Sequence, residues 1–233
     1  MIAQSLMNLG SAALDLVYPP RCALCERLGT FLCEGCVEGL SRADGRRCDA
    51  CWLPLRGAKC AACAEHPTSL SRLRSVFRYE GDVRRLVHAF KFGGQSALGK
   101  ALAAQLAGCY HEYALAADVV VAVPLTGSRR RSRGYNQAAL VAREVAREIG
   151  LPAADALRRR GNATPQAASA TAEQRRSNVV GVFEPVKGAD VTGQRVLLID
   201  DVATTGATLG ACADMLSAMG ARGVIGLTLA RED

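Results

Sequence analysis

Two adjacent carboxylates near the end of the chain are followed by a cluster of hydroxyl-bearing and small residues. Asp200 and Asp201 come first, and one residue later the chain reads Ala203, Thr204, Thr205, Gly206, Ala207 and Thr208. Carboxylates hold sugar hydroxyls or a magnesium ion, whereas free backbone N–H groups and threonine hydroxyls bind phosphate. The pattern therefore predicts a site for a ligand with a phosphate at one end and a ribose diol at the other.

A strand before this cluster and a helix after it would put these groups in place. Residues 196–199 form the unbroken apolar run Val-Leu-Leu-Ile, which is typical of a strand buried on both faces of a parallel sheet. Apolar residues then recur at helical spacing from Leu209 to Met219. Gly206 lies in the turn between the two elements and would let the backbone approach an anion at the helix N-terminus.

Eight of the ten cysteines form four CxxC pairs in the first third of the chain, and this pattern favours metal binding. They are Cys22, Cys25, Cys33, Cys36, Cys48, Cys51, Cys60 and Cys63. A CxxC turn directs two thiolates at one ion, and two turns complete a tetrahedral zinc site. A disulfide scaffold and redox chemistry fit less well, because no export signal is visible and redox pairs occur singly. An iron–sulfur cluster remains an alternative.

The intervals between the CxxC pairs favour two sequential zinc sites. Seven residues separate the first and second pairs and eight separate the third and fourth, whereas eleven separate the second and third. A cross-braced arrangement, in which pairs one and three share an ion, is also compatible with these intervals. Since this segment has few large apolar residues, we expect the metal to supply its folding energy.

Composition and patterning predict a small N-terminal zinc-binding domain and a larger α/β domain. The chain has 233 residues, 49% of them hydrophobic, and no apolar stretch long enough to span a membrane. Residues 1–20 are predicted as an amphipathic helix, residues 21–67 as the zinc domain and residues 73–233 as the sheet domain. Strands and helices alternate from about residue 75, which indicates a parallel sheet flanked by helices. The last three residues read as a tail.

Four arginines in one loop could neutralise phosphate groups. They are Arg129, Arg130, Arg131 and Arg133, directly after the predicted strand at residues 119–123. Ligands bind at such strand ends in open α/β sheets, so this loop could contact a pyrophosphate or a nucleic-acid backbone. A solvated charged surface is the alternative. The formal net charge of +7 is weak evidence for nucleic-acid binding, because zinc-bound thiolates would lower it. Residues 160–178 are predicted as a flexible lid.

Several stretches occur together in an order that resembles the ComF family. They are the tandem CxxC pairs, Tyr79 with Lys91-Phe92, Val123-Pro124-Leu125, Arg133-Gly-Tyr-Asn-Gln137, Thr164-Pro-Gln166, Arg176 with Asn178, and the stretch from Asp200 to Thr208. The acidic pair and the Thr-Thr-Gly turn alone resemble the 5-phosphoribosyl-1-pyrophosphate (PRPP) loop of type I phosphoribosyltransferases. The resemblance covers nearly the whole chain beyond its first twenty residues.

This resemblance implies a type I phosphoribosyltransferase-like sheet, a PRPP site with Mg²⁺ and a cytoplasmic location. It places Asp200 and Asp201 on the ribose hydroxyls as the catalytic pair, and residues 203–208 around the 5-phosphate. It also implies a role in DNA uptake and natural transformation, with single-stranded DNA and competence or recombination proteins as partners. It does not imply an acceptor base.

Two functions follow as expectations. The first is DNA handling, in which clustered arginines and aromatic residues such as Trp52 contact single-stranded DNA. The second is an active Mg²⁺-dependent phosphoribosyltransferase with an unknown acceptor. A purely structural role for the zinc region, as a cap on the sheet, is an alternative to direct DNA contact.

Overall fold

The computed structural model describes residues 19–55, 57–92, 97–125, 137–160 and 181–233. The chain divides into two compact units, residues 1–40 and residues 41–233. The boundary falls between the second and third CxxC pairs, so each unit holds one group of four cysteines. Among the described residues, no helix is both long enough and apolar enough to cross a membrane.

The smaller unit is a loop structure built around Cys22, Cys25, Cys33 and Cys36, which we call the first cysteine group. A short helix α1 (Glu34–Glu38) follows Cys33, and an isolated bridge pairs Arg21 with Leu28. The backbone turns tightly after Cys22, whose N–H donates to the Arg27 carbonyl and whose carbonyl accepts from the Glu26 N–H, both at 2.9 Å.

The larger unit contains a five-stranded parallel sheet in the order β1-β7-β6-β2-β3. Its strands are β1 (Leu70–Arg78), β2 (Val119–Ala122), β3 (Ala153–Ala154), β6 (Arg195–Ala203) and β7 (Gly223–Arg231). Two further strands, β4 (Leu157–Arg159) and β5 (Phe183–Pro185), form a separate antiparallel pair. Strand β7 is buried almost throughout and β6 is fully buried from Val196 to Ile199, as parallel strands covered on both faces require.

Five helices belong to the described part of this unit. They are α2 (Ala61–Glu65), α3 (Gly81–Phe92), α4 (Leu98–Glu112), α5 (Gln137–Ile149) and α6 (Ala207–Ala218). Helices α3, α4 and α6 each bury an apolar stripe, which in α3 consists of Val83, Leu86, Val87 and Phe90. Together these elements give the parallel α/β architecture that the alternating pattern predicts.

Residues 41–66 pack on the edge strand β1 of the sheet. The Ala43 N–H donates to the Val76 carbonyl, the Leu73 N–H to the Asp49 carbonyl (both 3.0 Å), and the Arg78 N–H to the Ser41 carbonyl at 2.8 Å. Ala43 and Trp52 belong to the same buried apolar cluster as the sheet residues and helix α6. The segment that carries the second group of four cysteines is therefore packed against the sheet core.

Three sequence-based expectations need correction. Strand β6 does not end before Asp200 but continues to Ala203, because β7 provides ladder partners for Asp200, Val202 and Ala203. Arg231 is not part of a tail, since it lies in β7 and is completely buried. Trp52 is only 5% exposed and packs against Tyr113 and Arg74, so it is not available to stack on a nucleic-acid base.

Candidate functional site

Residues 203–208, which we call the phosphate loop, connect β6 to the N-terminus of α6. Gly206 immediately precedes the helix with a φ of +78°, in the left-handed region that favours glycine. It has no side chain to occupy the N–H groups of the first helical turn, and that turn contains no acidic residue. The Thr205 hydroxyl accepts a hydrogen bond from the Ala207 N–H at 3.3 Å. The result is a half-buried turn whose helix N-terminus suits an anion.

The acidic pair lies near the end of β6, one residue before the phosphate loop. The Asp200 carboxylate accepts a hydrogen bond from the Asp201 backbone N–H at 2.8 Å, and this bond orients the Asp200 side chain. Asp201 forms an ion pair with Lys91 of helix α3, with Nζ to Oδ1 at 2.7 Å. Both side chains are largely buried, at 20% and 16% exposure. Carboxylates in this position suit ribose hydroxyls or a hydrated Mg²⁺ ion.

Arg231, at the end of β7, lies against the protein side of the phosphate loop. Its Nη1 donates to the carbonyls of Ala203, at 2.9 Å, and Thr204. Burial lowers the pKa of the Arg231 guanidinium, and the Cys51 thiolate is the largest of the charges that raise it again. The loop backbone is thus held by a buried cation. No local sequence pattern connects this arginine with the predicted site residues.

A cleft of about 770 Å³ extends from the phosphate loop along helix α6. One wall is formed by Thr205, Gly206 and Ala207 and continues down α6 to Ala218, while the opposite wall includes Cys51, Cys63 and His66. Phe183 and Gly181 close one side. This volume is within the range of small-molecule sites, and most of the lining side chains are apolar.

The eight paired cysteines form two sequential groups, and the cross-braced alternative is ruled out. In each group all four sulfur atoms lie within 4.8 Å of one another. Cys25 and Cys33 Sγ are 3.6 Å apart, as are Cys51 and Cys60, and Cys48 and Cys63 are 3.7 Å apart. Four ligands at a Zn–S distance of about 2.3 Å around one ion lie about 3.8 Å apart, far beyond a disulfide bond. The groups therefore fit structural zinc.

In the part of the chain that the structure describes, the other two cysteines belong to neither four-cysteine group. Cys109 and Cys212 are buried in helices α4 and α6. Burial raises the pKa of the Cys109 thiol to about 12 and that of Cys212 well above its usual value. Thiols in such surroundings are protonated and unreactive at neutral pH, so they serve as small core residues.

The structure brings some of the predicted site residues together and does not describe others. Asp200, Asp201 and the phosphate loop lie at one end of the sheet. The arginine cluster at 129–133, all but the first residue of the lid predicted at 160–178 and all but the last two residues of the helix predicted at 1–20 lie outside the described residues. The motifs at 133–136, 164–166, 176 and 178 do so as well.

Sequence reasoning missed the roles of Lys91 and Arg231. Lys91 follows the apolar stripe of α3, and its position beside Phe92 in the family pattern was the one available signal. Arg231 follows a long apolar run, where a cation directly at the end of a buried strand could have drawn attention. Neither side chain could be assigned to the phosphate loop or its carboxylates without the strand order.

Comparison with known proteins accounts for both parts of the chain. The family model of the phosphoribosyl transferase domain matches residues 95–232, and that of the double zinc ribbon domain matches residues 13–66. DNA utilization protein YhgH of Salmonella typhimurium is 30% identical over 88% of this chain and 94% of its own length. The chain belongs to the ComF family.

Other relatives carry names from the same family. DNA utilization protein YhgH of Escherichia coli K12 is 29% identical over 90% of this chain and 96% of its own. Competence protein F of Haemophilus influenzae is 28% identical over 81% of this chain and 85% of its own. The family assignment thus extends across the zinc groups and the sheet.

Solved structures resemble the sheet unit more distantly. An allosteric regulatory enzyme of purine biosynthesis is 22% identical, with a TM-score of 0.38 over 61% of this chain and 30% of that one. Glutamine PRPP amidotransferase from B. subtilis is 21% identical, with a TM-score of 0.40 over the same shares. The chain thus matches less than a third of the length of these two proteins. With such low TM-scores and identities, these matches say nothing about function.

Proposed function

We propose that this protein binds PRPP with Mg²⁺ at the phosphate loop and the acidic pair, and that it acts in DNA utilisation or uptake. The observation that carries the proposal is the adjacency of two groups on β6. Asp200 and Asp201 lie near the carboxyl end of the strand, and the Gly206 turn opens the N-terminus of α6 a few residues beyond them. A phosphate on the loop would leave the ribose beside the carboxylates.

In this proposal each part of the site has a separate task. The N–H groups of the phosphate loop and the Thr204, Thr205 and Thr208 hydroxyls bind the 5-phosphate. Asp200 and Asp201 bind the ribose hydroxyls and hold Mg²⁺, which when bound neutralises the pyrophosphate. Arg129 to Arg133 supply further positive charge near that end of the ligand. The cleft along α6 is open space beside the loop.

The DNA part of the proposal rests on the names of the relatives and on charge. YhgH is called a DNA utilization protein, and Competence protein F is named for competence. In this chain the four arginines at 129–133 would contact the phosphates of single-stranded DNA, with competence or recombination proteins as further partners. A cytoplasmic location, where thiols stay reduced, agrees with ten free cysteines.

Calorimetric titration of PRPP with Mg²⁺ into the zinc-loaded protein tests the ligand. We expect saturable binding that is lost in the Asp200→Asn/Asp201→Asn variant, while thermal denaturation verifies that the variant remains folded. An absence of binding to the folded wild type would refute the PRPP site. A titration of ribose 5-phosphate into the Asp200→Asn/Asp201→Asn variant would show whether the loop retains affinity for the phosphate without the two carboxylates.

The DNA role has its own test. The affinity for single-stranded oligonucleotides should fall steeply with salt, because binding releases counterions from the phosphates. The Arg129→Ala/Arg131→Ala variant should have a shallower dependence of log affinity on log salt concentration, by the amount expected for the loss of about two phosphate contacts. An unchanged slope would remove these two arginines from the interface.

A second candidate is catalysis of phosphoribosyl transfer. The intact acidic pair, its Lys91 partner and the cleft beside the loop favour it. Release of pyrophosphate from PRPP in the presence of a panel of nucleobases and amines would establish turnover. If PRPP binds but no acceptor supports release above the Asp200→Asn/Asp201→Asn background, the ligand has a regulatory role instead.

A further inference from the structure

Arg231 is a completely buried cation with only part of its hydrogen-bonding capacity used. Its side chain is 0% exposed. Nη1 donates to two loop carbonyls, whereas Nε and Nη2 have no hydrogen-bond partner in the described structure. Removing a guanidinium from water is costly unless nearby negative charge compensates it. Whether the charged guanidinium of Arg231 is stable in this buried position therefore depends on the charges near it.

The second cysteine group, which comprises Cys48, Cys51, Cys60 and Cys63, lies close to the phosphate loop, since Cys51 and Cys63 line the same cleft as Thr205 and Gly206. Cys51, Asp233 and Glu232 each act to raise the pKa of the buried Arg231 guanidinium. Arg47 opposes them, but it is itself bound by both carboxylate oxygens of Asp233 at 2.6 and 2.8 Å. Since four thiolates around one Zn²⁺ ion carry a net charge of −2, a zinc-loaded group balances Arg231.

The segment that carries this cysteine group is also anchored to the strand that carries Arg231. Arg47, the residue before Cys48, donates to the Trp52 carbonyl at 2.8 Å and pairs with Asp233, two residues after Arg231. Its side chain is 1% exposed. Movement of the cysteine segment would therefore displace the end of β7.

The carbonyls that Arg231 holds determine where the loop N–H groups point. A trans peptide directs its C=O and its N–H in opposite directions. When the carbonyls of Ala203 and Thr204 face Arg231, the N–H groups of Thr204 and Thr205 face away from it. Glu232 strengthens this arrangement, because its N–H donates to the Ala203 carbonyl at 2.9 Å. Arg231 thus fixes two potential phosphate donors.

We propose that Arg231 is a positioning residue that couples the second cysteine group to the phosphate loop. Zinc at that group stabilises the buried guanidinium, which holds the loop in its anion-binding conformation. By linkage, a phosphate-bearing ligand on the loop strengthens zinc retention at the second group by the same factor as zinc strengthens ligand binding. The ligand half of this inference rests on the proposed PRPP site, whereas the coupling of zinc to the loop does not.

The experiment uses the full, zinc-loaded chain and three variants. Arg231→Met removes the charge and the donors, and Arg231→Lys keeps the charge with fewer donors. Arg195→Met is the matched control, since Arg195 lies at the opposite end of β6 in an exposed ion pair with Asp118. For each protein, the transfer of zinc to a chromogenic zinc-selective chelator is followed over time. The kinetic phase that disappears in the Cys33→Ser variant belongs to the first cysteine group. Hydrogen exchange of peptides spanning residues 203–208 reports on the loop without any ligand.

We expect Arg231→Met to release zinc from the second group about tenfold faster and to exchange the loop amides faster. It should bind PRPP about tenfold more weakly, and bound PRPP should slow zinc release in the wild type but not in this variant. Arg231→Lys should recover part of each effect, and Arg195→Met should match the wild type.

Unchanged zinc release and loop exchange in folded Arg231→Met would overturn the proposal. If that variant does not fold, the test uses hydrogen exchange of the loop amides in two other comparisons. These are the Arg231→Lys variant against the wild type, and the wild type with against without zinc at the second group. Equal exchange in both comparisons would overturn the proposal. If the wild type binds no PRPP, the proposed function fails, while faster loop exchange on loss of the second zinc would still support the coupling.

Discussion

Lys91 Nζ lies 2.7 Å from Asp201 Oδ1, so a cation from helix α3 partly neutralises the acidic pair at the end of β6. Two adjacent carboxylates without this partner would repel the phosphates of a ligand bound at the phosphate loop. The ion pair therefore lowers the need for Mg²⁺ in the ligand-free site. It also keeps Asp201 in a fixed position within a largely buried environment.

Lys91→Met should change how the site responds to Mg²⁺. With the ion pair removed, the acidic pair should bind Mg²⁺ alone about fivefold more tightly, because the local charge is more negative. PRPP binding at low Mg²⁺ should weaken by a similar factor. Calorimetric titrations of Mg²⁺ and of PRPP at several Mg²⁺ concentrations measure both effects.

Lys100→Met provides the control for this change, since Lys100 is an exposed lysine on helix α4. It should leave both titrations at the wild-type values. Equal Mg²⁺ affinity in the Lys91→Met variant and the wild type would contradict an electrostatic role for Lys91.

The two cysteine groups should differ in what their loss does to the sheet. Cys51→Ser should lower the melting temperature of the sheet unit by about 6–12 °C, equivalent to about 3 kcal/mol, because residues 41–66 pack on β1. Trp52 is the single tryptophan and is 5% exposed, so its emission should shift to the red. Differential scanning calorimetry and fluorescence follow these changes.

Cys33→Ser is the matched substitution in the first cysteine group. That group lies in the unit formed by residues 1–40. We expect it to lose its own zinc while Trp52 emission and the melting of residues 41–233 stay as in the wild type. Equal damage to the sheet unit from both substitutions would show that the second group has no special structural role there.

Helix α6 packs so closely against the segment before β1 that an added methyl group at Gly210 should destabilise the protein. A Cβ at this position would lie 2.7 Å from Thr68 Cγ2. Gly210→Ala gains about 1 kcal/mol in helix propensity but should lose about 1–3 kcal/mol to this clash, for a net destabilisation of up to about 2 kcal/mol. Because α6 begins at the phosphate loop, the affinity for PRPP should fall as well.

Thr68→Ala should rescue Gly210→Ala, because it removes the clashing Cγ2 atom. The remaining contact, between the new Cβ and Thr68 Cβ, is 3.3 Å. A double-mutant cycle of denaturant unfolding free energies should therefore give a favourable coupling of about 1 kcal/mol or more. Strict additivity would mean that α6 shifts freely away from Thr68.

Phe92 is the aromatic residue that we expect to contact single-stranded DNA in place of Trp52. Its side chain is 61% exposed at the end of α3, next to Lys91. Base stacking contributes about 1–3 kcal/mol per base, so Phe92→Ala should weaken oligonucleotide binding about tenfold. Phe92→Tyr should retain the affinity, whereas Phe92→Leu should lose it although it stays apolar. Equal affinity for all three variants would remove Phe92 from the interface.

Local patterns in the sequence predicted the elements and the chemical groups of this protein. The apolar run before Asp200, the Thr-Thr-Gly turn and the helical spacing after Leu209 identify a strand, an anion-binding turn and a helix. The intervals between CxxC pairs favour the sequential grouping that the sulfur positions confirm. Each of these signals lies within a short stretch, where backbone geometry links residue spacing directly to position.

Tertiary structure decided which distant residues support those groups. Arg47 and Asp233 are 186 positions apart and form a two-bonded ion pair, and Arg231 reaches the phosphate loop because β7 lies beside β6. Lys91 meets Asp201 across a helix and a strand. No spacing rule connects such residues, because their proximity depends on strand order and helix packing. The sequence by itself determined the loop, the carboxylates and the cysteine groups, and the fold alone decided how they are held together.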